Sequence, residues 1–249
     1  MTYSIGIDSG STATKGILLA DGVITRRFLV PTPFRPATAI TEAWETLREG
    51  LETTPFLTLT GYGRQLVDFA DKQVTEISCH GLGARFLAPA TRAVIDIGGQ
   101  DSKVIRLNED GSVKNFVMND KCSAGTGKFL EVMTNRLGLT QKELSELASQ
   151  GKDVTISSMC TVFAESEVIS LIGKGTSRED IAYGVVESVA VKVAQLISQL
   201  GGNHYFLTGG LCEDEYVISR LSHALNAPVE SMPLARYAGA IGAALLSGE

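Results

Sequence analysis

The chain lacks the features that mark membrane and secreted proteins. No apolar run is long enough to cross a bilayer, and Met1 to Ser4 lacks the basic and apolar regions of a signal peptide. There are only four cysteines, none of them in a Cys-x-x-Cys pair, and the net charge is −6. That charge argues against general binding to nucleic acid or to an anionic membrane. We therefore expect a cytoplasmic protein whose cysteines are reduced thiols.

Two common nucleotide-binding fingerprints are also missing. A P-loop needs Gly-Lys followed by Ser or Thr, but the chain reads Gly127-Lys128-Phe129, with Cys122 where the first Gly should stand. The Rossmann fingerprint fails because Gly81-Leu82-Gly83 has Phe86 in place of its third Gly. If the chain binds a nucleotide, it does so with another device.

Apolar strand patterns separated by turns are present instead. With 249 residues, 44% of them hydrophobic and 20% charged, the chain can form one large domain or two lobes. Strand, turn, strand, turn, strand patterns occur twice, about 90 residues apart. The predicted strands are 3–8, 15–19 and 23–28 in the first copy, and 93–97, 103–107 and 113–118 in the second. This predicts two similar β-meanders that arose by internal duplication.

The rest of the chain is predicted to be mainly helical. The predicted helices are one after Pro36, one around 82–87, and 125–137, 140–149, 161–174, 178–200 and 235–246, with further strands at 56–60 and around 206–208. The predicted fold class is α/β, a duplicated β-meander plus helices.

The turn after the first strand of each meander carries phosphate-binding chemistry. In Asp8-Ser9-Gly10-Ser11-Thr12, glycine lets backbone N–H groups approach phosphate oxygens, hydroxyls add donors, and Lys15 adds a cation. Asp8 is suited to holding hydrated Mg²⁺. The second meander repeats the device in Asp96-Ile97-Gly98-Gly99. A single copy could be a tight turn with a solvated Asp, but two copies after buried strands predict a clamp for a triphosphate.

Three other segments are less specific. Thr208-Gly209-Gly210 follows a strand, where backbone could pass beside adenosine, although many turns contain Gly-Gly. Small residues at close spacing in 76–84 and 238–244 fit two helices that cross closely, either as a hinge between lobes or as tight core packing.

Cys122 and Cys160 each precede a predicted helix. Helix N-termini stabilise thiolates and anionic ligands. A 4Fe–4S cluster needs four thiolates, which two cysteines from each of two copies would provide. Taken alone, however, a lone cysteine is more often a small apolar side chain.

Five motifs together resemble one family. They are 7–15 (Ile-Asp-Ser-Gly-Ser-Thr-Ala-Thr-Lys), 60–64 (Thr-Gly-Tyr-Gly-Arg), 95–101 (Ile-Asp-Ile-Gly-Gly-Gln-Asp), 118–127 around Cys122 and 160–168 beginning at Cys160. The chain is similar over essentially its whole length to activators of 2-hydroxyacyl-CoA dehydratases and to the ATPase subunits of benzoyl-CoA reductase.

The resemblance implies a two-lobed, actin-like (ribonuclease H-like) ATPase fold, with lobes at 1–90 and 91–249 and a final helix, 236–247, that can pack back on the first lobe. It also implies a homodimer holding one 4Fe–4S cluster, reduced by ferredoxin or flavodoxin. ATP hydrolysis would then drive one low-potential electron to a partner iron–sulfur dehydratase or reductase.

The site residues are implied in the same way. Phosphates, ADP or ATP would be bound by Ser11, Thr12, Ala13, Thr14, Lys15, Gly98, Gly99 and Gln100, with Gly209 and Gly210 beside adenosine. Asp8, Asp96 and Gln100 would lie around the γ-phosphate, Mg²⁺ and the attacking water, with Asp101 as a neighbour. Glu76 either positions water or forms a structural salt bridge. Cys122 and Cys160 would ligate the cluster, while Cys79 and Cys212 would be structural thiols.

Two departures from the family pattern concern the adenine side, namely Leu211-Cys212-Glu213-Asp214 and Arg236. The alternatives are an ATPase subunit of a benzoyl-CoA reductase-like complex, a kinase for a small acid or sugar, and a nucleotide-sensing switch without turnover.

Overall fold

A computed structural model describes residues 2–157 and 160–248. The strands in these ranges are β1 (Tyr3–Ser9), β2 (Ala13–Ala20), β3 (Val23–Pro31), β4 (Phe56–Thr60), β5 (Lys72–Gln73), β6 (Ala93–Ile97), β7 (Ser102–Leu107), β8 (Val113–Asn119), β9 (Tyr205–Gly209) and β10 (Val229–Glu230). The α-helices are α1 (Pro36–Arg48), α2 (Glu76–Leu87), α3 (Gly127–Leu137), α4 (Gln141–Ala148), α5 (Thr161–Gly173), α6 (Arg178–Ile197), α7 (Glu215–Leu225) and α8 (Ala238–Leu245). None of the described helices combines the length and the apolar composition that crossing a bilayer requires.

The two sheets have the same strand order. The order in the first sheet is β3-β2-β1-β4-β5, and the order in the second is β8-β7-β6-β9-β10. Strands β6, β7, β8, β9 and β10 therefore correspond to β1, β2, β3, β4 and β5. In the first sheet β2 is antiparallel to both β1 and β3, while β4 is parallel to β1. The two predicted meanders are confirmed as β1–β3 and β6–β8. The duplication also includes the fourth and fifth strands of each sheet, which sequence inspection did not identify as repeats.

Helices cover both faces of the first sheet. Because alternate side chains of a strand point to opposite faces, neighbouring residues of β2 belong to different cores. Leu18 packs in one core with Ile40 of α1. Ile17 and Leu19 pack in the other with Ile241 of α8.

The small residues of α2 and α8 permit close packing of the two helices. A Cβ atom at Gly83 would lie 1.9 Å from the carbonyl oxygen of Ala238, and one at Gly242 would lie 1.8 Å from the carbonyl oxygen of Cys79. No side chain fits at either distance. Since both helices belong to the same compact unit, their small residues serve tight packing within it.

The described residues form two compact units. One contains the chain up to Val94, Ile105–Phe116 and the chain from Pro233 onward; the other contains Ile95–Val104 and Val117–Met232. In the second unit, α4 and α7 both pack against α6. A capping box at Thr140 and Glu143 begins α4, which satisfies backbone donors at its start.

Candidate functional site

The turn between β1 and β2 is tight and faces solvent. The N–H of Gly10 donates to the carbonyl of Ala13 over 3.2 Å, and the Ser11 and Thr12 side chains are exposed. The backbone N–H of Thr32 donates to the carbonyl of Thr12, and its hydroxyl donates to the carbonyl of Gly10. Thr32, which directly follows β3, therefore holds the turn in place, while Ser11 and Thr12 remain exposed to solvent.

Thr14 is placed differently from its neighbours. It is fully buried, and its hydroxyl lies 3.0 Å from that of Thr32. Of the predicted phosphate contacts in this segment, Ser11, Thr12 and Lys15 lie at the turn, whereas the Thr14 side chain stabilises the turn from within.

Asp8 is a buried carboxylate that lies beside Lys15, His80 and two glycines. Its Oδ2 lies 3.6 Å from Nζ of Lys15 and 3.9 Å from Nε2 of His80. A Cβ atom at Gly61 would lie 2.5 Å from its Oδ1, and one at Gly239 would lie 2.8 Å from its Oδ2. Glycine at these two positions gives the carboxylate the space it occupies.

The second turn repeats this arrangement around Asp96. Nζ of the buried Lys103 lies 3.1 Å from Oδ2 of Asp96 and 2.9 Å from Oδ1 of Asp101. The Thr208 hydroxyl donates to Oδ1 of Asp96 over 2.9 Å. The N–H of Gly98 closes the turn on the carbonyl of Asp101. Asp101 is thus a direct partner in the second turn.

Sequence reasoning did not identify Lys103 as a site residue. Lys103 follows Asp96 by seven positions, and Lys15 follows Asp8 by the same number. This repeated Asp-x₆-Lys spacing identifies Lys103 as the counterpart of Lys15 in the second copy of the meander. Each turn therefore contains an Asp–Lys pair.

The second turn is bonded directly to the start of α3. The N–H groups of Gly127 and Lys128 donate to the carbonyls of Gly98 and Gly99 over 2.9 and 2.8 Å. The exposed side chain of Gln100 lies next in the turn. Glu76, the first residue of α2, is half-buried in the other unit.

Gly209 ends β9 against Asp96. Its φ is +89°, and a Cβ there would lie 2.3 Å from the carbonyl oxygen of Ile97 and 2.8 Å from Oδ1 of Asp96. The N–H of Gly210 donates to the carbonyl of Ile97. Only glycine tolerates this backbone conformation and proximity.

A cavity of about 750 Å³ adjoins Gly210 within the second unit. Residues of α4 and α7 line it together with Leu211, and its volume falls within the range of small-ligand sites. Gln141 borders the cavity, and its Nε2 is buried with no hydrogen-bond partner among the described residues. Sequence reasoning placed adenosine by Gly209 and Gly210 but did not identify the α4 and α7 walls.

Cys122 and Cys160 lie in adjoining segments. Ser123 follows Cys122, Thr161 follows Cys160, and the oxygens of these two hydroxyls are 2.7 Å apart. Cys122 is half-buried and Cys160 is exposed. The Asn119 amide group donates to the carbonyl of Cys122 over 2.8 Å and accepts from its N–H over 3.3 Å. Both cysteines therefore lie in segments of the second unit that are joined by a hydrogen bond.

Both cysteines precede helices as expected, but Cys160 does so directly, whereas four residues separate Cys122 from α3. Cys160 is the N-cap of α5. Helix α3 begins at Gly127 rather than 125, because Gly125 adopts a φ of +81° and Thr126 is extended. The first amides of α3 already bond to the second turn, so they do not support the Cys122 thiolate.

The other two cysteines are fully enclosed. Cys79 and Cys212 are buried, and burial raises the pKa of the Cys79 thiol to about 12. Within the described ranges, no three His, Cys, Asp or Glu side chains come together as a metal-binding group.

Comparison with known proteins gives a consistent result. The chain matches the BadF/BadG/BcrA/BcrD ATPase family over residues 5–247. It is 66% identical over 247 residues to the uncharacterized protein YjiL of Escherichia coli K12, covering 99% of this chain and 97% of that one. It is 47% identical over 250 residues to the (R)-2-hydroxyglutaryl-CoA dehydratase activating ATPase of Acidaminococcus fermentans, covering 98% and 96%.

Solved structures agree with these relatives. The activator of 2-hydroxyisocaproyl-CoA dehydratase from Clostridium difficile, with bound ADPNP, superposes with a TM-score of 0.91 at 38% identity, covering 99% of this chain and 94% of that one. A ROK family glucokinase from Streptomyces griseus, 17% identical with a TM-score of 0.65, shares the fold alone. The predicted actin-like α/β fold class is confirmed, and the chain belongs to the BadF/BadG/BcrA/BcrD ATPase family.

Proposed function

We propose that this chain is an ATP-driven activator that passes a low-potential electron to an iron–sulfur enzyme of the 2-hydroxyacyl-CoA dehydratase type. The electron would come from a 4Fe–4S cluster shared by two copies of the chain. The contact between the Cys122 and Cys160 segments is the observation that carries this proposal beyond ATP hydrolysis. The protein would act in the cytoplasm, with ferredoxin or flavodoxin as its reductant.

The nucleotide part of the proposal rests on the two Asp–Lys turns. The first unit would offer Ser11, Thr12, the backbone at Ala13, and Lys15 to phosphate oxygens. Lys15 already lies 3.6 Å from Asp8, so its ammonium could be shared between carboxylate and phosphate. Asp8 would orient Mg²⁺ and its water ligands, since that ion prefers carboxylate oxygens and water.

The second unit would supply the rest of the nucleotide contacts. Gly98, Gly99 and Gln100 would donate to phosphate, and Asp96, held by Lys103 and Thr208, would accept a proton or orient water. Adenosine would take the cavity beside Gly210, whose walls include α4 and α7. Glu76 would help to position the attacking water.

The residues around Cys122 and Cys160 fit a thiolate-ligated cluster. Their segments are joined by the Ser123–Thr161 hydrogen bond, and neither thiol is enclosed in a core. The start of α5 next to Cys160 favours negative charge. Two thiolates from each of two copies make the four that such a cluster needs. When bound, the cluster would supply one electron at a time at low potential.

The surface of α5 supports a contact with another molecule beside Cys160. Its carboxylates are paired within the chain, Glu165 with Arg136 and Glu167 with Ser157. Its solvent-facing side instead carries large apolar side chains, Val162, Phe163, Ile169 and Ile172, that are 47–68% exposed. A helix that turns charges inward and apolar groups outward is suited to burial in an interface. A second copy in contact with the first at Cys160 would cover the N-terminal part of α5.

A defined path would link nucleotide and thiols within the second unit. Gly98 and Gly99 bond to the first amides of α3. The chain entering α3 carries Cys122, and the Ser123–Thr161 bond continues to α5. A shift of the second turn on hydrolysis would therefore reach both cysteine segments.

The cluster assignment can be tested by anaerobic reconstitution of Cys→Ser variants. We expect Cys122→Ser and Cys160→Ser each to lose most of the bound iron and sulfide, whereas Cys79→Ala and Cys212→Ala keep the parent's content of one cluster per dimer. Circular dichroism would confirm that each variant is folded. Full iron retention in folded Cys122→Ser or Cys160→Ser protein would overturn the ligand assignment.

The electron-transfer assignment needs an acceptor. The dithionite-reduced protein should reduce a purified 2-hydroxyacyl-CoA dehydratase only when ATP is hydrolysed, and not with a non-hydrolysable analogue. Reduction of a benzoyl-CoA reductase-type partner instead would reassign the chain to that class of complex. ADP release that depends on an added acid or sugar, from protein without iron, would favour a kinase.

A further inference from the structure

The segment from Thr60 to Arg64 has no role in the function described so far. It follows β4, whose register with β1 places Thr60 opposite Asp8. We call Thr60–Arg64 the β4 loop. Its sequence, Thr-Gly-Tyr-Gly-Arg, contains two glycines and one cation, and both its environment and its position in the duplicated fold point to a ligand.

The β4 loop is the counterpart of the loop that ends β9. Strand β4 holds the same place in the first sheet as β9 holds in the second. Each loop has a threonine followed by a glycine with positive φ, +84° at Gly61 and +89° at Gly209. A Cβ at Gly61 would lie 2.5 Å from Oδ1 of Asp8, and one at Gly209 would lie 2.8 Å from Oδ1 of Asp96. The loops therefore take equivalent positions beside equivalent carboxylates.

A second glycine holds the β4 loop against the first turn. The N–H of Gly63 donates to the carbonyl of Ser9 over 2.9 Å, and a Cβ at Gly63 would lie 2.2 Å from Oγ of Ser9. Ser9 is completely buried, and its Oγ has no hydrogen-bond partner among the described residues. The β4 loop is therefore packed directly against the first turn, and Arg64 is the next residue of the loop.

That residue, Arg64, keeps its guanidinium on the loop. Its Nη1 donates to the carbonyl of Gly61 over 3.1 Å. A guanidinium has five N–H donors, and in the described part of the chain this is the one hydrogen bond recorded for it. No carboxylate of the described residues pairs with Arg64, whereas Asp8 already has Lys15 at 3.6 Å. The Arg64 guanidinium therefore keeps its charge and most of its donors for an anion, and phosphate is an anion that those donors suit.

We infer that Arg64 binds the terminal phosphate of ATP. This inference rests on the nucleotide part of the proposed function. Gly61 of this loop lies against Asp8, the residue that the proposed function assigns to Mg²⁺ and its water ligands, so Arg64 belongs to the end of the nucleotide where the terminal phosphate is cleaved. A guanidinium fork can donate two parallel N–H hydrogen bonds to two oxygens of the same phosphate. Arg64 would contact ATP and its transition state but make no contact with ADP.

The test compares ADP with a non-hydrolysable ATP analogue in calorimetric titrations of the full-length protein. We expect Arg64→Gln to weaken binding of the analogue by roughly ten- to a hundredfold, as for loss of a charged hydrogen bond, with ADP affinity within about threefold of the parent. Hydrolysis should fall by about a hundredfold or more. Arg64→Lys, which keeps the charge without the fork, should recover part of both losses.

Arg48→Gln is the matched control, since Arg48 lies in the same unit at the exposed surface of α1, where its guanidinium bonds Glu45 and lies over the ring of Trp44. It should leave both affinities unchanged. Equal losses for ADP and the analogue in Arg64→Gln, with a lowered melting temperature, would show that Arg64 only braces the loop and would overturn the inference. Unchanged analogue binding would also overturn it.

The outcome can be separated from failure of the proposed function. A parent protein that binds both nucleotides but does not hydrolyse ATP would contradict the ATPase mechanism, while the ratio of the two affinities would still decide the role of Arg64. A parent that binds neither nucleotide would overturn both.

Discussion

The hydroxyl oxygens of Ser123 and Thr161 lie 2.7 Å apart, and they connect two segments separated by 38 residues in the chain. This hydrogen bond joins the residue after Cys122 to the residue after Cys160. Under the proposed function, this contact would allow the chain to present both thiols to one cluster.

The first prediction concerns this hydrogen bond. Ser123→Ala should leave ATP binding unchanged but loosen the two cysteine segments, at a cost of about 1 kcal/mol. We expect iron to be lost to a chelator roughly fivefold faster than from the reconstituted parent, as followed by absorbance under anaerobic conditions. Ser166→Ala is the control, because among the described residues the Ser166 hydroxyl bonds only the carbonyl of Val162 within α5. Equal rates in both variants would rule out a bridging role for Ser123.

The second prediction concerns Lys103, which is almost completely buried between Asp96 and Asp101. Lys103→Met should lower the free energy of unfolding by about 3–5 kcal/mol, because it leaves buried carboxylate without its cation. Urea denaturation measures this change. Lys121→Met, at an exposed pair with Asp120, should have no measurable effect. Parent-like stability of Lys103→Met would mean that Asp96 does not depend on this ammonium.

The third prediction separates backbone strain from steric conflict. Gly22 and Gly61 both have positive φ, but a Cβ at Gly22 would meet nothing within 4 Å. Gly22→Ala should cost about 1–2 kcal/mol, the penalty of the left-handed conformation. Gly61→Ala should cost a further 1–3 kcal/mol or so, because the new methyl group collides with Asp8 and Ser9.

Nucleotide titration provides a second measurement on these two variants. Displacement of Asp8 should weaken binding of Mg-ADP to Gly61→Ala, whereas Gly22→Ala should bind like the parent. If both variants lost the same stability and kept the same affinity, the close approach of Gly61 to Asp8 would be unimportant.

The fourth prediction follows from the buried Cys79 thiol. Its pKa is raised to about 12 by desolvation, while an unfolded cysteine ionises near 8.5. The unfolded chain therefore loses this proton first as the pH rises. The stabilisation from Cys79 is complete below about pH 8.5 and declines toward pH 12, by about 1.4 kcal/mol per pH unit.

Urea denaturation at pH 8 and pH 10.5 under reducing conditions measures this decline. The parent should lose more stability over this interval than Cys79→Ala, which lacks the ionisable group. Identical pH dependence in the two proteins would show that the Cys79 environment does not oppose ionisation.

The features that sequence predicted best are those set by local pattern. Asp8 and Asp96 are the second-last residues of β1 and β6, and a short turn that contains glycine follows each strand. The equivalence of Lys15 and Lys103 is also visible in the local sequence, as the repeated Asp-x₆-Lys spacing. It was missed because Lys103 lies within a strand, where a buried cation is unexpected until its carboxylate partners are known.

The features that sequence could not predict depend on distant contacts. Helix α7 was missed because Val217 and Leu221 are its only described buried residues, although the cap at Asp214 marks its start. The later start of α3 depends on Gly98 and Gly99, which accept its first hydrogen bonds from far along the chain. The cavity beside Gly210 could not be predicted either, because its walls come from α4 and α7, which are distant in sequence.

The hydrogen bonds between the second turn and α3 also determine where the other edge of that turn points. In a planar trans peptide the N–H lies opposite the C=O. Because the carbonyls of Gly98 and Gly99 point at α3, the N–H groups of Gly99 and Gln100 must point away from it, as donors for an anion. If the nucleotide binds as we propose, rotation of either peptide plane toward a departing phosphate would lengthen a hydrogen bond to α3 and so transmit the change to the chain segment that carries Cys122.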